Sequence, residues 1–226
     1  MDALRITAAG DSAVLLELPA GIDPTTSARA VALAGAIEAR IGGRVRDVVV
    51  GYCSVTVYYN PLELDFDMLV DVIREVGAAP PGGAPVEPRH IHVDVCYGGE
   101  YGPDLAEVAA YAGGSEDDVV GLHTGVTYRV YMLGFLPGFA YMATVDPRLA
   151  LPRRASPRTR VAAGSVAIAA GQTGIYPSDS PGGWHVIGRT HVAPYEPARE
   201  EPFLFRPGDR VTYHSVTRAE FEEAHR

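Results

Sequence analysis

The stretch that decides the fold is residues 165–190, which read SVAIAAGQTGIYPSDSPGGWHVIGRT. Its β-like runs are short and are separated by turns rich in glycine and proline, and two similar runs flank it at residues 128–133 and 210–215. Short strands at this spacing predict a closed or nearly closed barrel. The runs inside the quoted stretch are Ser165–Ala169, Gln172–Ile175 and Trp184–Arg189.

The residues before the barrel predict a separate, smaller domain. Residues 1–80 contain two pairs of β-like runs, and each pair precedes a stretch whose apolar residues recur at helical spacing. Residues 81–89, PGGAPVEPR, are dominated by proline and glycine, which neither a helix nor a strand tolerates well. We therefore predict an α+β domain at 1–80, a linker at 81–89 and a mainly β barrel domain at 90–226.

The composition excludes several kinds of chemistry. All 19 basic residues are arginine, so this chain offers no lysine for a Schiff base, for biotin attachment or for a Walker A motif. A net charge of −9 opposes binding to nucleic-acid phosphates. No apolar run approaches the roughly 18 residues of a membrane span, and the N-terminal residues do not follow a secretory-signal pattern. These features predict a cytoplasmic protein that binds neither nucleic acid nor membrane.

Residues 134–190 are unusually rich in glycine, proline, arginine and aromatic side chains. Ordering such loops costs on the order of 1–2 kcal/mol per residue, so a rigid polar loop cluster above a barrel indicates a ligand site. A tightly turned barrel whose glycines serve left-handed turn positions explains the same composition. The residues alone leave both interpretations open.

Several long motifs carry a family resemblance over essentially the whole chain. In order they are GDSAVLLEL (10–18), YGGEYGPDLAEVA (97–109), FLPGFAYM (135–142), LPRRASPRTRVAAGSVAIAAGQTGIYP (151–177), SPGGWHVIGRT (180–190) and RPGD (206–209). Together they resemble the family that contains bacterial 5-oxoprolinase B-type subunits, allophanate hydrolase subunit 1 and the Kip-type sensor-kinase inhibitors. The resemblance implies a cyclophilin-like barrel. Two positions depart from it, because His185 replaces the usual Gln and Ala170 the usual Gly.

The resemblance implies one subunit of an ATP-dependent 5-oxoprolinase that opens 5-oxoproline to L-glutamate and is inactive alone. ATP is shared with or supplied by a C-type partner, Mg²⁺ is left open, and a separate A-type subunit completes the complex. The alternative is a Kip-type inhibitor that docks on a sensor histidine kinase and blocks its autophosphorylation. A site for an activated amide needs cations, amide-type donors and apolar walls. The candidate catalytic residues are Arg154, Tyr176 and His185, and the candidate substrate-binding residues are Phe135, Phe139, Arg153, Arg158, Gln172, Thr173, Trp184 and Arg189.

Other polar groupings have simpler explanations. His90, His92, Asp94 and Cys96 alternate along one predicted strand and could in principle bind a metal, but an exposed strand face explains them more simply. Ser-Pro-Gly turns explain the serines around Asp179 without a catalytic triad. We therefore predict no metal site and no serine nucleophile.

Overall fold

The computed structural model describes residues 4–78 and 88–224. The chain divides into two compact units, Met1–Glu87 and Pro88–Arg226. The predicted linker at 81–89 lies outside the described residues except for its last two positions, so its conformation stays a prediction.

The first unit is a four-stranded antiparallel sheet with two helices. The strands are β1 (Arg5–Ala8), β2 (Ala13–Glu17), β3 (Asp47–Val50) and β4 (Ser54–Tyr58), in the order β1-β2-β4-β3, and the helices are α1 (Pro24–Ile41) and α2 (Phe66–Ala78). Asp23 caps α1 by accepting a hydrogen bond from the Thr26 backbone at 2.6 Å, and Pro24 follows at the first helical position. Buried side chains of the central strands, such as Val14, Leu16 and Val57, share one hydrophobic core with both helices.

The second unit contains a closed barrel of seven strands. Its strands are β5 (His90–Tyr97), β6 (Tyr128–Leu133), β7 (Ala140–Ala143), β9 (Ser165–Ala169), β10 (Gln172–Ile175), β12 (His185–Arg189) and β13 (Arg210–Ser215). The order is β10-β7-β6-β13-β5-β12-β9, and β9 pairs with β10 to close the ring. Strands β5 and β13 pair in parallel and the other neighbours are antiparallel, so the barrel is mixed. The predicted closed barrel is confirmed.

The remaining elements of this unit surround the barrel. Strands β8 (Arg158–Val161) and β11 (Ser180–Gly182) form a separate two-stranded sheet. Helices α3 (Leu105–Ala112), α4 (Glu116–Thr124) and α5 (Arg218–Glu223) complete the unit. None of the helices in the described ranges combines the length and the apolar character needed to span a bilayer.

Strand β9 is buried on both faces and divides the unit's apolar side chains into two clusters. Val166 and Ile168 belong to the main core, whereas Ala167 and Ala169 belong to a second cluster that contains Phe139 and Trp184. Because successive strand residues point to opposite faces, the second cluster lies on the other side of the barrel wall. The second cluster contains three of the candidate site residues, Phe139, Tyr176 and Trp184.

Candidate functional site

Asp104 is the buried centre of the polar network in this unit. It precedes α3, and its backbone N–H donates to the Val186 carbonyl at 3.0 Å. Its side chain is 3% exposed, and carboxylate oxygen Oδ2 accepts a hydrogen bond from the Val186 backbone at 2.7 Å. These two bonds attach the start of α3 to β12, beside His185.

Two arginines from the segment 152–158 neutralise this carboxylate. Arg158 binds it through both terminal nitrogens, Nη1 to Oδ2 and Nη2 to Oδ1, each at 2.7 Å. Arg154 adds a bond from Nη1 to Oδ1 at 2.9 Å, and the same nitrogen lies 3.0 Å from Glu107 Oε2. The hydrogen bond to Asp104 raises the pKa of the Arg158 guanidinium. A buried carboxylate with paired, charge-assisted donors is a rigid arrangement.

His185 is buried next to this network. Its Nε2 lies 3.0 Å from the Pro152 carbonyl oxygen, and since a carbonyl only accepts, Nε2 carries the hydrogen. Its Nδ1 has no hydrogen-bond partner among the described residues and lies 3.8 Å from Glu107 Oε2. The Nε atom of Arg154 is likewise buried without a partner in the described part of the chain. The histidine that replaces the family's usual Gln thus still donates a hydrogen bond.

An aromatic cluster adjoins the network through Trp184. Phe139 contacts Tyr176 and Trp184 edge to face, with ring centroids 5.3 and 5.4 Å apart. Phe135 is 61% exposed, has a left-handed φ of 69° and packs its ring against Phe139. Burial raises the pKa of the Tyr176 hydroxyl, while the Trp184 backbone N–H and Arg153 partly oppose this increase. These rings therefore lie together, and their role as the apolar wall of a substrate site stays a prediction.

Arg153 differs from its two neighbouring arginines. It is exposed and makes no ion pair or hydrogen bond with the described residues. Burial raises the pKa of Tyr141 and of Tyr176, and the charge of Arg153 partly opposes both increases. The backbone on each side is held, because Pro152 accepts from His185 and the Arg154 N–H donates to the Gly183 carbonyl at 2.8 Å. Arg153 is therefore available to bind an anion from a fixed backbone.

Two predicted site residues, Thr173 and Arg189, lie elsewhere. Thr173 is fully buried among the barrel's interior side chains, where its hydroxyl lies 2.8 Å from His123 Nε2. Gln172 precedes it on β10 and is also buried, but it pairs with Ala169 and so lies on the face of the aromatic cluster. Arg189 is at the opposite end of β12 from His185, about 13 Å away at strand spacing. It lies close enough to Asp179 to lower the pKa of that carboxyl, after the larger effects of Ala163 and Arg160.

Asp104, Glu107 and His185 also form a set of potential metal ligands, with ligand atoms all within 4.8 Å of one another. The guanidinium of Arg154 is bonded to both carboxylates, and Asp104 is bonded to Arg158 as well. The positive charge that this cluster needs is thus already supplied by arginine. A cation there would have to displace Arg154.

Sequence reasoning missed Asp104 and Glu107, although both lie in the quoted motif YGGEYGPDLAEVA. The available signal was the excess of arginine in residues 152–160, which requires acidic partners wherever those side chains are partly buried. The partner lies about 50 residues earlier in the chain, and no local spacing indicates that separation.

Comparisons with known proteins identify relatives of this chain. Residues 4–205 match the family described as carboxyltransferase domain, subdomain C and D. The chain is 42% identical over 217 residues to the B-type subunit of 5-oxoprolinase from Escherichia coli O157:H7, covering 94% of this chain and 96% of that protein. It is 35% identical over 227 residues to the B-type subunit of 5-oxoprolinase from Bacillus subtilis (strain 168), covering 96% and 95%.

Solved structures share the fold. The crystal structure of TTHA0988 superposes with a TM-score of 0.80 at 41% identity, covering 90% of this chain but only 40% of the longer one. The Kluyveromyces lactis urea amidolyase superposes with a TM-score of 0.77 at 20% identity, over 97% of this chain and 15% of that enzyme. The second likeness shows the fold alone.

Proposed function

This chain belongs to the family of carboxyltransferase domains, subdomain C and D, and from that membership we propose that it is the B-type subunit of an ATP-dependent 5-oxoprolinase. In this proposal it contributes part of a shared active site that opens 5-oxoproline to L-glutamate. The observation that carries the proposal is the 42% identity over 94% of the chain to a protein of that name. Neither the described structure nor the relatives named above favour the kinase-inhibitor alternative.

The proposal extends to architecture and partners. The barrel is of the cyclophilin-like type and the first unit is of the α+β class. A C-type subunit completes the active site and an A-type subunit completes the enzyme. The chain of TTHA0988 is more than twice as long as this one and contains a region similar to it. This arrangement supports a functional link between this chain and another polypeptide region. The complex is cytoplasmic.

The chemistry required is hydrolysis of an unstrained amide, which is a poor electrophile. ATP would phosphorylate the lactam oxygen, and this would activate the lactam carbon toward attack by water. This chain's residues would bind and orient the substrate and would exclude solvent. Arg153 would bind the substrate carboxylate or a phosphoryl oxygen, and the rings of Phe135 and Phe139 would form the apolar wall that keeps water out. The buried network of Asp104 and Arg158 fixes the segment that carries Arg153.

The described residues are better suited to bind one anionic group than a whole nucleoside triphosphate. Arg154 and Arg158 are bonded to Asp104, which leaves Arg153 as the exposed arginine of this segment without a bonded acid. One guanidinium cannot balance both a carboxylate and the several charges of a triphosphate. The C-type partner therefore supplies most of the nucleotide-binding groups, together with any Mg²⁺.

The proposal is tested by reconstitution. The purified chain alone, the chain with its C-type partner, and the chain with both partners are each assayed for glutamate formation and for phosphate release that depend on 5-oxoproline. We expect no turnover by the isolated chain and full turnover only by the complete set. Substantial 5-oxoproline-dependent ATP hydrolysis by the isolated chain would refute the shared site, and a complete set without glutamate formation would refute the assigned reaction.

A further inference from the structure

Three histidines lie on one exposed face of the barrel, away from the arginine network. Strands β5 and β13 pair in parallel with His92 opposite Thr212 and Asp94 opposite His214. These residues alternate with buried ones along both strands, and both histidines and Asp94 are exposed. Only the row on β5 is apparent from the sequence, because His214 follows it by more than 100 residues.

The two imidazoles meet edge to edge. His92 Nδ1 lies 3.1 Å from His214 Nε2, and the Thr212 hydroxyl oxygen lies 2.9 Å from the same His92 nitrogen. Two neutral imidazole nitrogens can approach this closely only if one carries a hydrogen and the other a lone pair. The ring of His90 stacks on His92 with centroids 4.7 Å apart and supports its orientation. The two imidazole rings are therefore held in place, and their nitrogen atoms are potential metal ligands that are open to solvent.

Contrary to the expectation from the sequence, we propose that His92 and His214 bind a late first-row divalent metal ion of the zinc class. Two imidazole nitrogens on one tetrahedral zinc, each at about 2.0–2.1 Å, lie roughly 3.3 Å apart, which is close to the 3.1 Å seen between these nitrogens. Imidazole ligands suit zinc and its neighbours rather than Mg²⁺ or Ca²⁺.

The binding step needs only local adjustment. The hydrogen between the rings moves to the outer nitrogen of the same imidazole, so each ring presents a lone pair to the ion and no proton is lost. Water fills the remaining positions around the ion. Cys96 continues the same alternation along β5 but is buried, so we do not include it.

The test uses tag-free protein, zinc binding by isothermal titration calorimetry, and the paramagnetic resonance spectrum of bound Cu²⁺. We expect one ion per chain and a copper spectrum with two nitrogen ligands. His92→Asn and His214→Asn should each weaken zinc binding by roughly tenfold or more. His191→Asn is the matched control: this exposed histidine instead bonds to the Phe221 carbonyl, and its loss should leave affinity unchanged.

Both test positions are exposed on the barrel, so their variants should fold, which the fluorescence of Trp184 verifies. The proposal is overturned if wild-type protein takes up no more zinc than the double variant His92→Asn/His214→Asn. Unchanged affinity in both single variants would overturn it equally. Either result is independent of 5-oxoproline turnover.

Discussion

Replacing Asp104 by Asn tests whether the buried carboxylate holds the arginine segment in place. The variant keeps the side chain's shape but leaves the guanidinium groups of Arg154 and Arg158 beside a neutral amide. Removing one partner of a buried ion pair costs about 3–5 kcal/mol. Because the two arginine side chains retain 26% and 28% exposure, we expect the low end of that range, about 3 kcal/mol. Capping does not contribute, since Asp104 makes no side-chain capping bond.

The assay is urea unfolding followed by tryptophan fluorescence. Trp184 is the chain's single tryptophan and belongs to the second unit, so the signal reports that unit. With a urea slope of about 2 kcal/mol per molar, a loss of about 3 kcal/mol lowers the midpoint by roughly 1.5 M. Glu107→Gln is the matched control, because this exposed carboxylate contacts the same Arg154 and its loss should cost less than about 1 kcal/mol. An equal, small shift in both variants would refute the anchoring role of Asp104.

Three further outcomes follow from other parts of the structure. Burial lowers the pKa of His123 to about 3, against about 6.5 in the unfolded chain. As the pH falls below ~6.5, the unfolded state therefore binds a proton before the folded state does, and the free energy of unfolding should fall by up to about 1.4 kcal/mol per pH unit. Urea unfolding at several pH values measures this change. Ala170 has a left-handed φ of 49°, so Ala170→Gly should stabilise the second unit by about 1 kcal/mol in the same assay. Arg153→Ala should lower kcat/KM for 5-oxoproline by roughly tenfold or more in the reconstituted enzyme, since it removes a charged hydrogen bond, without changing stability.

Each of these has a control and a contrary outcome. An imidazole resonance of His123 that titrates near pH 6.5 would show that the ring is not buried as described. Ala155→Gly changes an exposed residue without a left-handed φ and should not stabilise the second unit. If it raised the free energy of unfolding as much as Ala170→Gly does, backbone strain at Ala170 could not be the cause. Arg148→Ala removes an exposed arginine that is paired with Asp146, and an equal kinetic loss there would contradict a specific role for Arg153.

The barrel could be predicted because its determinants are local. Turn residues such as Gly171 separate β9 from β10, and alternation or continuous burial marks the strands on either side. Strand β7 was missed, since its four residues lie within FLPGFAYM and the residue that follows it, where Pro137 and Gly138 indicate a loop. The loop and the strand are both present, and a strand of that length gives too little periodicity to detect.

The candidate site was predicted less completely, because it depends on contacts between distant residues. The aromatic residues at positions 139, 176 and 184 do meet, as expected from their density in the loops. Thr173 and Arg189 do not join them: strand alternation places Thr173 inside the barrel, and the length of β12 separates Arg189 from His185. The face of the barrel wall that a residue occupies depends on the register in which its strand pairs with its neighbours, and the sequence of a single strand does not specify that register.

The different contacts of the three arginines supply a physical reason for the shared site of the proposed function. The ion pairs of Arg154 and Arg158 with Asp104 hold their own segment, and they offset a cost of ordering its backbone of on the order of 1–2 kcal/mol per residue. This arrangement leaves Arg153 with its charge free and its backbone fixed between the bonds of Pro152 and Arg154. Under the proposed function, this polypeptide would therefore contribute orientation of the substrate, and the partner would supply most of the charge that balances a nucleotide.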